Sequence, residues 1–238
     1  MQLDRIGSCE LGPARENNHH RDPYSSRCAP GSISELWTVA LNKCALAASN
    51  VLTIGLAMLQ GARYEHKHAL LRAAASLDLE IDIRELRKSS DIKGIDALVL
   101  PGGESTAMKV ASRSEDLYSG LWNNLRQENI PVLGTCAGAI LLSQQKLVKT
   151  NIERNAFGRQ KESFQSQIKI NIDGESEYPG VFIRAPRFTG ECSNPIAWLD
   201  EEVVGVLEGN RMALTFHPEL TEDLRFHIWL LNSASNKN

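Results

Sequence analysis

The chain has 238 residues, of which 42% are hydrophobic and 23% are charged, and its formal net charge is -3. This length suits one domain with an appendage, and the hydrophobic content is enough for a sizeable core. The small negative charge, without blocks of like charge, excludes the basic surface of a nucleic-acid-binding protein, and no apolar stretch approaches the roughly 20 residues that a membrane span requires.

Residues 1–50 are predicted to form an N-terminal extension that is largely disordered. Its first 32 residues are polar and rich in Gly, Pro, Ser, Asn and Arg, a composition that cannot bury enough surface to order itself. From Ile33 to Cys44, apolar residues recur at helical spacing, which predicts one amphipathic helix with Ser32 or Ser34 as its N-cap. This helix packs on its own domain or docks on a partner, and the first interpretation is favoured.

The cysteine content predicts a reducing environment. The five cysteines are odd in number and widely spaced, and none forms a CxxC pair. A chain of this size does not need disulfide bonds to hold its fold. The N-terminus also lacks the basic-then-apolar order of a secretory signal, so we expect a cytoplasmic protein.

Short apolar runs alternate with helical periodicity after Asn50, and this pattern predicts an α/β domain over residues 51–238. Because the apolar runs show no polar alternation and are separated by helices, they are typical of a mostly parallel sheet covered on both faces. The expected fold is therefore a three-layer α/β sandwich. The predicted strands are VLTIGLAML, LEIDI, IDALVLP and PVLGT, and the predicted helices are ARYEHKHALLRAAASL and LYSGLWNNLRQEN.

Beyond Asn151 the pattern changes to that of a short antiparallel extension of the sheet. The segment QIKINI alternates apolar with polar residues, and GVFIRA, EVVGVL and RMALTF follow with only turns between them. A last helix is predicted from about Thr221 to Ser233. These strands are thus expected to extend the parallel sheet with antiparallel or mixed pairing.

A cysteine stands between two glycines at the end of the predicted strand PVLGT. In VLGTCAGAI, Cys136 is flanked by Gly134 and Gly138 and is followed by the helical run AILLSQQ, which is the G-x-nucleophile-x-G pattern of a nucleophile elbow. The glycines allow the tight turn, and the partial positive charge of the helix N-terminus favours the thiolate. The alternative is a small buried hydrophobic residue, because the short pattern arises by chance in many sequences.

A nucleophilic cysteine needs a base, and His217 is the histidine whose position fits. It ends the predicted strand RMALTF, so that in a parallel sheet it lies at the same edge as Cys136. Glu219 would then orient the imidazole as the third member of a triad. The alternative interpretation of FHPE is a turn that ends a strand. The other histidines fall in the N-terminal segment or inside predicted helices: His19, His20, His66, His68 and His227.

A Pro-Gly-Gly loop follows the predicted strand IDALVLP, in the segment LPGGEST at residues 100–106. Such a loop frees backbone amides to point at one spot. We therefore expect the Gly103 amide to form an oxyanion hole with the amide of Ala137. An ordinary turn between a strand and a helix would have a similar sequence.

Together, the segments PGGEST, GTCAG and FHPELTED, in this order, resemble the class I glutamine amidotransferases, which implies a flavodoxin-like central sheet. The resemblance is narrower to the PdxT/SNO family, the glutaminase subunits of pyridoxal 5'-phosphate synthase. It covers the chain from about Leu52 to its end. The segments that carry it are LQGARYEH (59–66), PGGEST (101–106), GTCAG (134–138), ERNAFGRQKESF (153–164), GVFIRAP (180–186) and FHPELTED (216–223).

The resemblance implies hydrolysis of L-glutamine to glutamate and ammonia. Cys136 would attack the carboxamide, His217 would accept the thiol proton and protonate the departing ammonia, and Glu219 would hold His217. A guanidinium is the natural partner of the α-carboxylate of glutamine, although a surface ion pair is the alternative for each arginine. The residues implied to line the glutamine pocket are Gly103, Glu104, Ser105, Arg154, Ile183 and Arg184.

The resemblance also implies a protein partner. Members of the family pass ammonia through a protein tunnel to a separate barrel-shaped synthase subunit in a large hetero-oligomer, and they are largely idle until docked there. The synthase subunit builds the vitamin from a pentose phosphate and a triose phosphate. For this chain itself the resemblance implies no cofactor and no metal.

Two departures from the family pattern leave alternatives open. Residues 1–50 have no counterpart in the family and would be an added docking arm, a segment translated in error or an obstacle to assembly. The stretch AILLSQQKLVKTNI is shorter than in the family, which affects the position of Arg154. A catalytically impaired binding subunit of the same complex is therefore one alternative to an active glutaminase. A flavodoxin-like elbow-cysteine hydrolase is the other.

Overall fold

The computed structural model describes residues 51–57, 61–103, 116–154 and 163–236. The predictions made for residues 1–50, including the helix that begins at Ile33, lie outside the described residues. Glu104 and Ser105 of the predicted glutamine pocket lie outside them as well.

The described residues contain eleven strands in two sheets. Nine strands form the main sheet, and the fifth and eighth strands pair with each other in a small second sheet. In chain order the strands are β1 (Leu52–Ala57), β2 (Ile81–Leu86), β3 (Ala97–Leu100), β4 (Val132–Thr135), β5 (Asn151–Glu153), β6 (Phe164–Asn171), β7 (Glu175–Phe182), β8 (Arg187–Thr189), β9 (Pro195–Leu199), β10 (Glu202–Glu208) and β11 (Arg211–Leu214).

The main sheet is parallel in one half and antiparallel in the other. Strands β2, β1, β3, β4 and β11 lie side by side in that order, and each neighbouring pair is parallel. Strands β10, β9, β6 and β7 continue the sheet from β11 with antiparallel pairing. The prediction of a mostly parallel central sheet with an antiparallel extension is thus confirmed. Strand β11, in the segment RMALTF, pairs in parallel with β4 and antiparallel with β10, and β9 adds to the extension a strand that the sequence pattern did not predict.

Helices cover both faces of the parallel half. Strand β3 shows this directly, because Ala97 and Val99 pack into one core cluster and Leu98 and Leu100 into the other. A strand buried on both faces has no reason to alternate with polar residues, which explains the unbroken apolar run in the sequence. The helices are α1 (Arg63–Ser76) and α4 (Arg225–Ser235), which contribute to the first cluster, and α2 (Leu117–Gln127) and α3 (Ala137–Gln144), which contribute to the second.

Strand β7 corrects the prediction that GVFIRA forms a strand. The strand begins earlier, at Glu175, and ends at Phe182, so that Ile183 and Arg184 leave the sheet. Pro179 lies in the middle of β7. A proline is tolerated there because, among the described strands, β7 lies at the edge of the sheet with only β6 beside it. A positive φ of 46° at Arg184 accompanies the departure of the chain from the sheet.

The last helix begins at Arg225 rather than at Thr221, which corrects a second prediction. A 3-10 turn occupies Pro218–Leu220 instead, and the chain after it is held by Tyr178 of β7. The Tyr178 hydroxyl lies 2.7 Å from Oγ1 of Thr221 and donates to the carbonyl of Asp223 at 3.0 Å. These side-chain contacts replace the first turn that a longer helix would have had.

None of the helices in the described ranges is long and apolar enough to span a bilayer. Cys136 and Cys192, the two cysteines that the structure describes, are both free thiols.

Candidate active site

Cys136 lies between the end of β4 and the start of α3, as a nucleophile elbow requires. Its φ of 47° and ψ of -102° are a backbone conformation that a residue with a Cβ rarely adopts. The Cys136 amide donates to the carbonyl of Leu214 on β11 at 2.8 Å, and its carbonyl accepts from Ile140 in the first turn of the helix. Such strain costs about 1–3 kcal/mol and persists only where the surroundings hold it, which is typical of functional sites.

Gly138 explains why the elbow sequence has a glycine two residues after the cysteine. A Cβ built on Gly138 would lie 2.0 Å from the carbonyl oxygen of Leu100, at the end of β3. Helix α3 therefore packs directly against the backbone of β3, and only glycine permits this approach. The Cys136 side chain is thereby held at the carboxyl ends of the parallel strands, the edge at which ligands of open α/β sheets bind.

His217 and Glu219 form a buried hydrogen-bonded pair just beyond the end of β11. Nδ1 of His217 lies 2.7 Å from Oε1 of Glu219, and the two residues are 6% exposed each. A carboxylate accepts only, so Nδ1 carries the proton and Nε2 is left to face another group. The His217 amide donates to the carbonyl of Val181 at 2.8 Å, which ties this turn to β7.

Gly102 shows that His217 and Cys136 meet on the same side of the sheet. A Cβ built on Gly102 would lie 2.5 Å from Cε1 of His217 and 3.3 Å from Cβ of Cys136. The Pro-Gly-Gly loop after β3 thus passes directly beside both side chains. The next residue of this loop, Gly103, is exposed. Ala137, whose amide is predicted to form the oxyanion hole together with that of Gly103, is the first residue of α3.

The electrostatics favour a proton on His217. Burial lowers the pKa of His217, but hydrogen bonds with the Cys136 sulfur and the Glu219 carboxylate outweigh burial and raise that pKa to about 10. Burial also raises the pKa of Glu219, and the neighbouring His66 and His217 outweigh it, so that this pKa lies below its ordinary value. An imidazolium beside the cysteine stabilises the thiolate, which is the nucleophilic form.

The segment after β7 brings one of the predicted pocket residues, Ile183, to the cysteine. The carbonyl of Ile183 lies 3.9 Å from Sγ of Cys136. Strand β8 comes next and pairs with β5, so that Glu153 lies opposite Arg187. Arg154 directly follows β5 and therefore lies close to the segment that joins β7 to β8. Arg154 and Arg184 are both exposed.

Two buried histidines near the site were missed by sequence reasoning. His66 of α1 and His227 of α4 were assigned to helix interiors without a role, yet both are fully buried and His66 lies 3.3 Å from Glu219. The sequence signal for them is weak, because each lies in an apolar helical pattern and 161 residues separate them. In the described part of the chain, no group of His, Cys, Asp and Glu is arranged to hold a metal ion.

Comparison with solved structures defines the class of protein. A crystal structure of a glutamine amidotransferase matches with a TM-score of 0.66 and 36% sequence identity, covering 76% of this chain and 98% of that one. The fold is therefore that of a glutamine amidotransferase.

Sequence comparison narrows the class to one family. The model of the SNO glutamine amidotransferase family matches residues 56–236. The pyridoxal 5'-phosphate synthase subunits PdxT of Thermococcus onnurineus and Thermus thermophilus are each 39% identical to this chain, which covers 100% and 97% of their lengths with 77% and 76% of its own. The chain belongs to the SNO glutamine amidotransferase family.

Proposed function

We propose that this chain is the glutaminase subunit of a pyridoxal 5'-phosphate synthase and hydrolyses L-glutamine to L-glutamate and ammonia. The observation that carries the proposal is the buried pair of His217 and Glu219, 2.7 Å apart, beside a cysteine at a strained elbow. Family membership supplies the substrate class, because the relatives are named as subunits of that synthase.

In the proposed reaction the thiol proton of Cys136 passes to His217, and the sulfur attacks the carboxamide carbon of glutamine. The tetrahedral intermediate collapses as the C–N bond breaks, and the proton on His217 goes to the departing ammonia. The product left on the enzyme is a thioester. Water then attacks the thioester, with His217 taking a proton from it and returning one to the sulfur, which releases glutamate.

Backbone amides would stabilise the negative charge on the carbonyl oxygen in both steps. The amide of Ala137 is the first of α3, and the first amides of a helix have no acceptor within the helix. With the Gly103 amide it would form the oxyanion hole, whose donors are each worth a factor of about 100 to 1,000 in turnover.

The rest of the pocket is proposed from the family resemblance and from the placement of the Ile183 segment. The exposed guanidinium groups of Arg154 and Arg184 would bind the α-carboxylate of glutamine. Gly103, Glu104 and Ser105 would line the pocket together with Ile183.

We further propose that ammonia passes to a barrel-shaped synthase subunit in a cytoplasmic hetero-oligomer. In this division of the chain, residues 51–238 form the glutaminase domain and residues 1–50 are an extension to it. An intact mass of the protein from its natural source tests whether the extension is retained. An intact mass that corresponds to a chain starting near residue 51 would contradict the two-part organisation of the mature protein.

The test of activity is ammonia release from L-glutamine by the full chain, alone and with the synthase subunit from the same source. We expect release to rise on addition of the synthase subunit and to be abolished by Cys136→Ala, while Cys192→Ala, at the other described free cysteine, keeps it. Equal release by wild type and Cys136→Ala with the partner present would contradict the proposal. It would favour an impaired binding subunit instead.

A further inference from the structure

Two buried histidines lie near Glu219, and the first of them, His66, contacts the carboxylate oxygen that His217 does not. Nε2 of His66 lies 3.3 Å from Oε2 of Glu219 and 3.1 Å from Oγ1 of Thr135, the residue before Cys136. Nδ1 of His66 lies 3.0 Å from Nε2 of His227. Helices α1 and α4 thus each send a fully buried imidazole toward the carboxylate.

The surroundings of Glu219 select one tautomer of His66. Burial lowers the pKa of His66, so the ring is neutral and carries one proton. Oε2 of Glu219 has no well-aligned hydrogen-bond donor within the ranges that the structure describes, and a bare ring nitrogen 3.3 Å away would repel it. The proton therefore belongs on Nε2, where the N–H donates to Oγ1 of Thr135 and its positive end faces Oε2 of Glu219.

This choice determines the state of His227. With Nε2 of His66 protonated, Nδ1 of His66 is an acceptor, and Nε2 of His227 must donate to it across 3.0 Å. Nδ1 of His227 is then an unprotonated nitrogen, and it is indeed buried without a hydrogen-bond partner among the described residues. The opposite arrangement would leave a buried N–H there unsatisfied, and burying such a donor costs about 1–3 kcal/mol.

We propose that His66 and His227 are positioning residues that form a chain of hydrogen bonds behind the catalytic pair. The Nε2–H of His227 donates to His66, and the Nε2–H of His66 donates to Oγ1 of Thr135. The positive end of that N–H lies close to Oε2 of Glu219 and attracts it electrostatically across 3.3 Å, so that Oε1 is kept against His217. Both oxygens of the Glu219 carboxylate are thereby held, which keeps the carboxylate from rotating away from the imidazole of His217. The kinetic part of this proposal rests on the proposed glutaminase function, whereas the tautomers do not.

The tautomers are measured directly by ¹⁵N NMR of the histidine rings in the full wild-type chain at pH 7, with His227→Gln and His66→Gln used to assign the signals. We expect both His66 and His227 to be neutral with the proton on Nε2. A proton on Nδ1 of either ring, or a charged His66, would overturn the proposal. This readout does not depend on any enzymatic activity.

Kinetics of glutamine hydrolysis, with the synthase subunit present, separate positioning from packing. His66→Leu removes both ring nitrogens, whereas the amide of His66→Gln restores a donor near Nε2. We expect His66→Leu to lower kcat about 10- to 100-fold, as loss of an outer-shell hydrogen-bond partner does at well-studied sites, with KM within about twofold of wild type. His66→Gln should recover most of that loss.

The control is His68→Leu, two residues along α1, where the side chain is exposed. It should leave kcat unchanged. Equal kcat in His66→Leu and wild type, or equal losses in the Leu and Gln variants, would overturn the positioning role. A wild type without glutaminase activity would instead contradict the proposed function, and the NMR result would still decide the tautomers.

Discussion

Cys136 and His217 illustrate how single residues at this site depend on backbone shape. The cysteine was predictable from the glycines around it, because a sharp turn between a strand and a helix has few sequence solutions. The histidine was predictable because it ends a strand at the same edge of a parallel sheet. His66 and His227 were not predictable, because nothing local distinguishes a helix histidine that meets a distant carboxylate from one that simply packs.

Gly102→Ala tests whether the site needs the space that this glycine leaves. The new Cβ would lie 2.5 Å from Cε1 of His217, so the imidazole must move away from Cys136. Since a displaced base misaligns the reacting atoms, we expect a loss of at least about 100-fold in kcat/KM for glutamine. The measurement is steady-state hydrolysis together with a melting curve.

Gly55→Ala is the matched control for that substitution. Its Cβ would meet the ends of flexible side chains, Ile95 at 2.9 Å and Leu86 at 3.0 Å, within the core away from the site. We expect this variant to lose stability but to keep its turnover. If Gly102→Ala likewise loses stability but keeps its turnover, the catalytic position of the His217 ring does not depend on the space that Gly102 leaves.

At the scale of elements, the sequence predicted what periodicity can encode. Strands β3 and β4 are fully buried and appear as unbroken apolar runs, and α2 buries residues at helical spacing, among them Leu117, Leu121 and Leu125. Strands β5 and β8 have only three residues each, too few to show a period. The later start of α4 depends on side-chain contacts with β7, which lies far away in sequence.

Tyr178→Phe tests the contacts that hold the turn after His217. The variant leaves the hydroxyl of Thr221 and the carbonyl of Asp223 without the phenol that lies 2.7 and 3.0 Å from them. We expect the free energy of unfolding to fall by about 0.5–1.5 kcal/mol, the net contribution of a typical hydrogen bond, since the two partly buried groups keep their bond to each other. Urea denaturation measures it.

The control is Tyr64→Phe, whose ring is 56% exposed on α1. A surface substitution of this kind should change the free energy of unfolding by about 0.5 kcal/mol or less. The same small change in Tyr178→Phe would mean that its hydroxyl does not hold the turn.

At the scale of the whole molecule, the site joins both halves of the mixed sheet. Cys136 follows β4 and His217 follows β11 in the parallel half, whereas Ile183 follows β7 at the far antiparallel edge. The sequence predicted both halves but not the route by which the chain returns from β7 to Cys136, because that route leaves the sheet at Arg184. The buried histidines also couple the site to the stability of the whole domain.

The stability of the protein should fall as the pH decreases from about 6.5 to 5. Burial lowers the pKa of His227 to about 3, so this ring stays neutral in the folded state but takes up a proton near its ordinary pKa when unfolded. The unfolded state then binds more protons, which costs about 1.4 kcal/mol per pH unit below the unfolded pKa of His227, and the lowered pKa of His66 acts in the same direction. The raised pKa of His217 acts at the alkaline side, where its stabilising contribution is complete below pH 6.5 and is lost as the pH rises through about 10.

Urea denaturation at a series of pH values measures this dependence. His227→Gln should flatten the slope between pH 6.5 and 5, and the exposed His68→Gln should leave it unchanged. A wild-type stability that is constant over this range would contradict the assignment of two neutral buried histidines.

Covalent trapping tests most directly whether Cys136 is the activated nucleophile of a glutamine hydrolase. The reagent is a glutamine-mimicking electrophile such as 6-diazo-5-oxo-L-norleucine. The full chain, with its synthase partner, is treated and the adduct is located by peptide mass spectrometry, with the other four cysteines of the chain as internal references. We expect one adduct, on Cys136, formed much more slowly in His217→Gln and prevented by excess L-glutamine. Labelling of Cys136 no faster than of the other cysteines, or unchanged in His217→Gln, would contradict it.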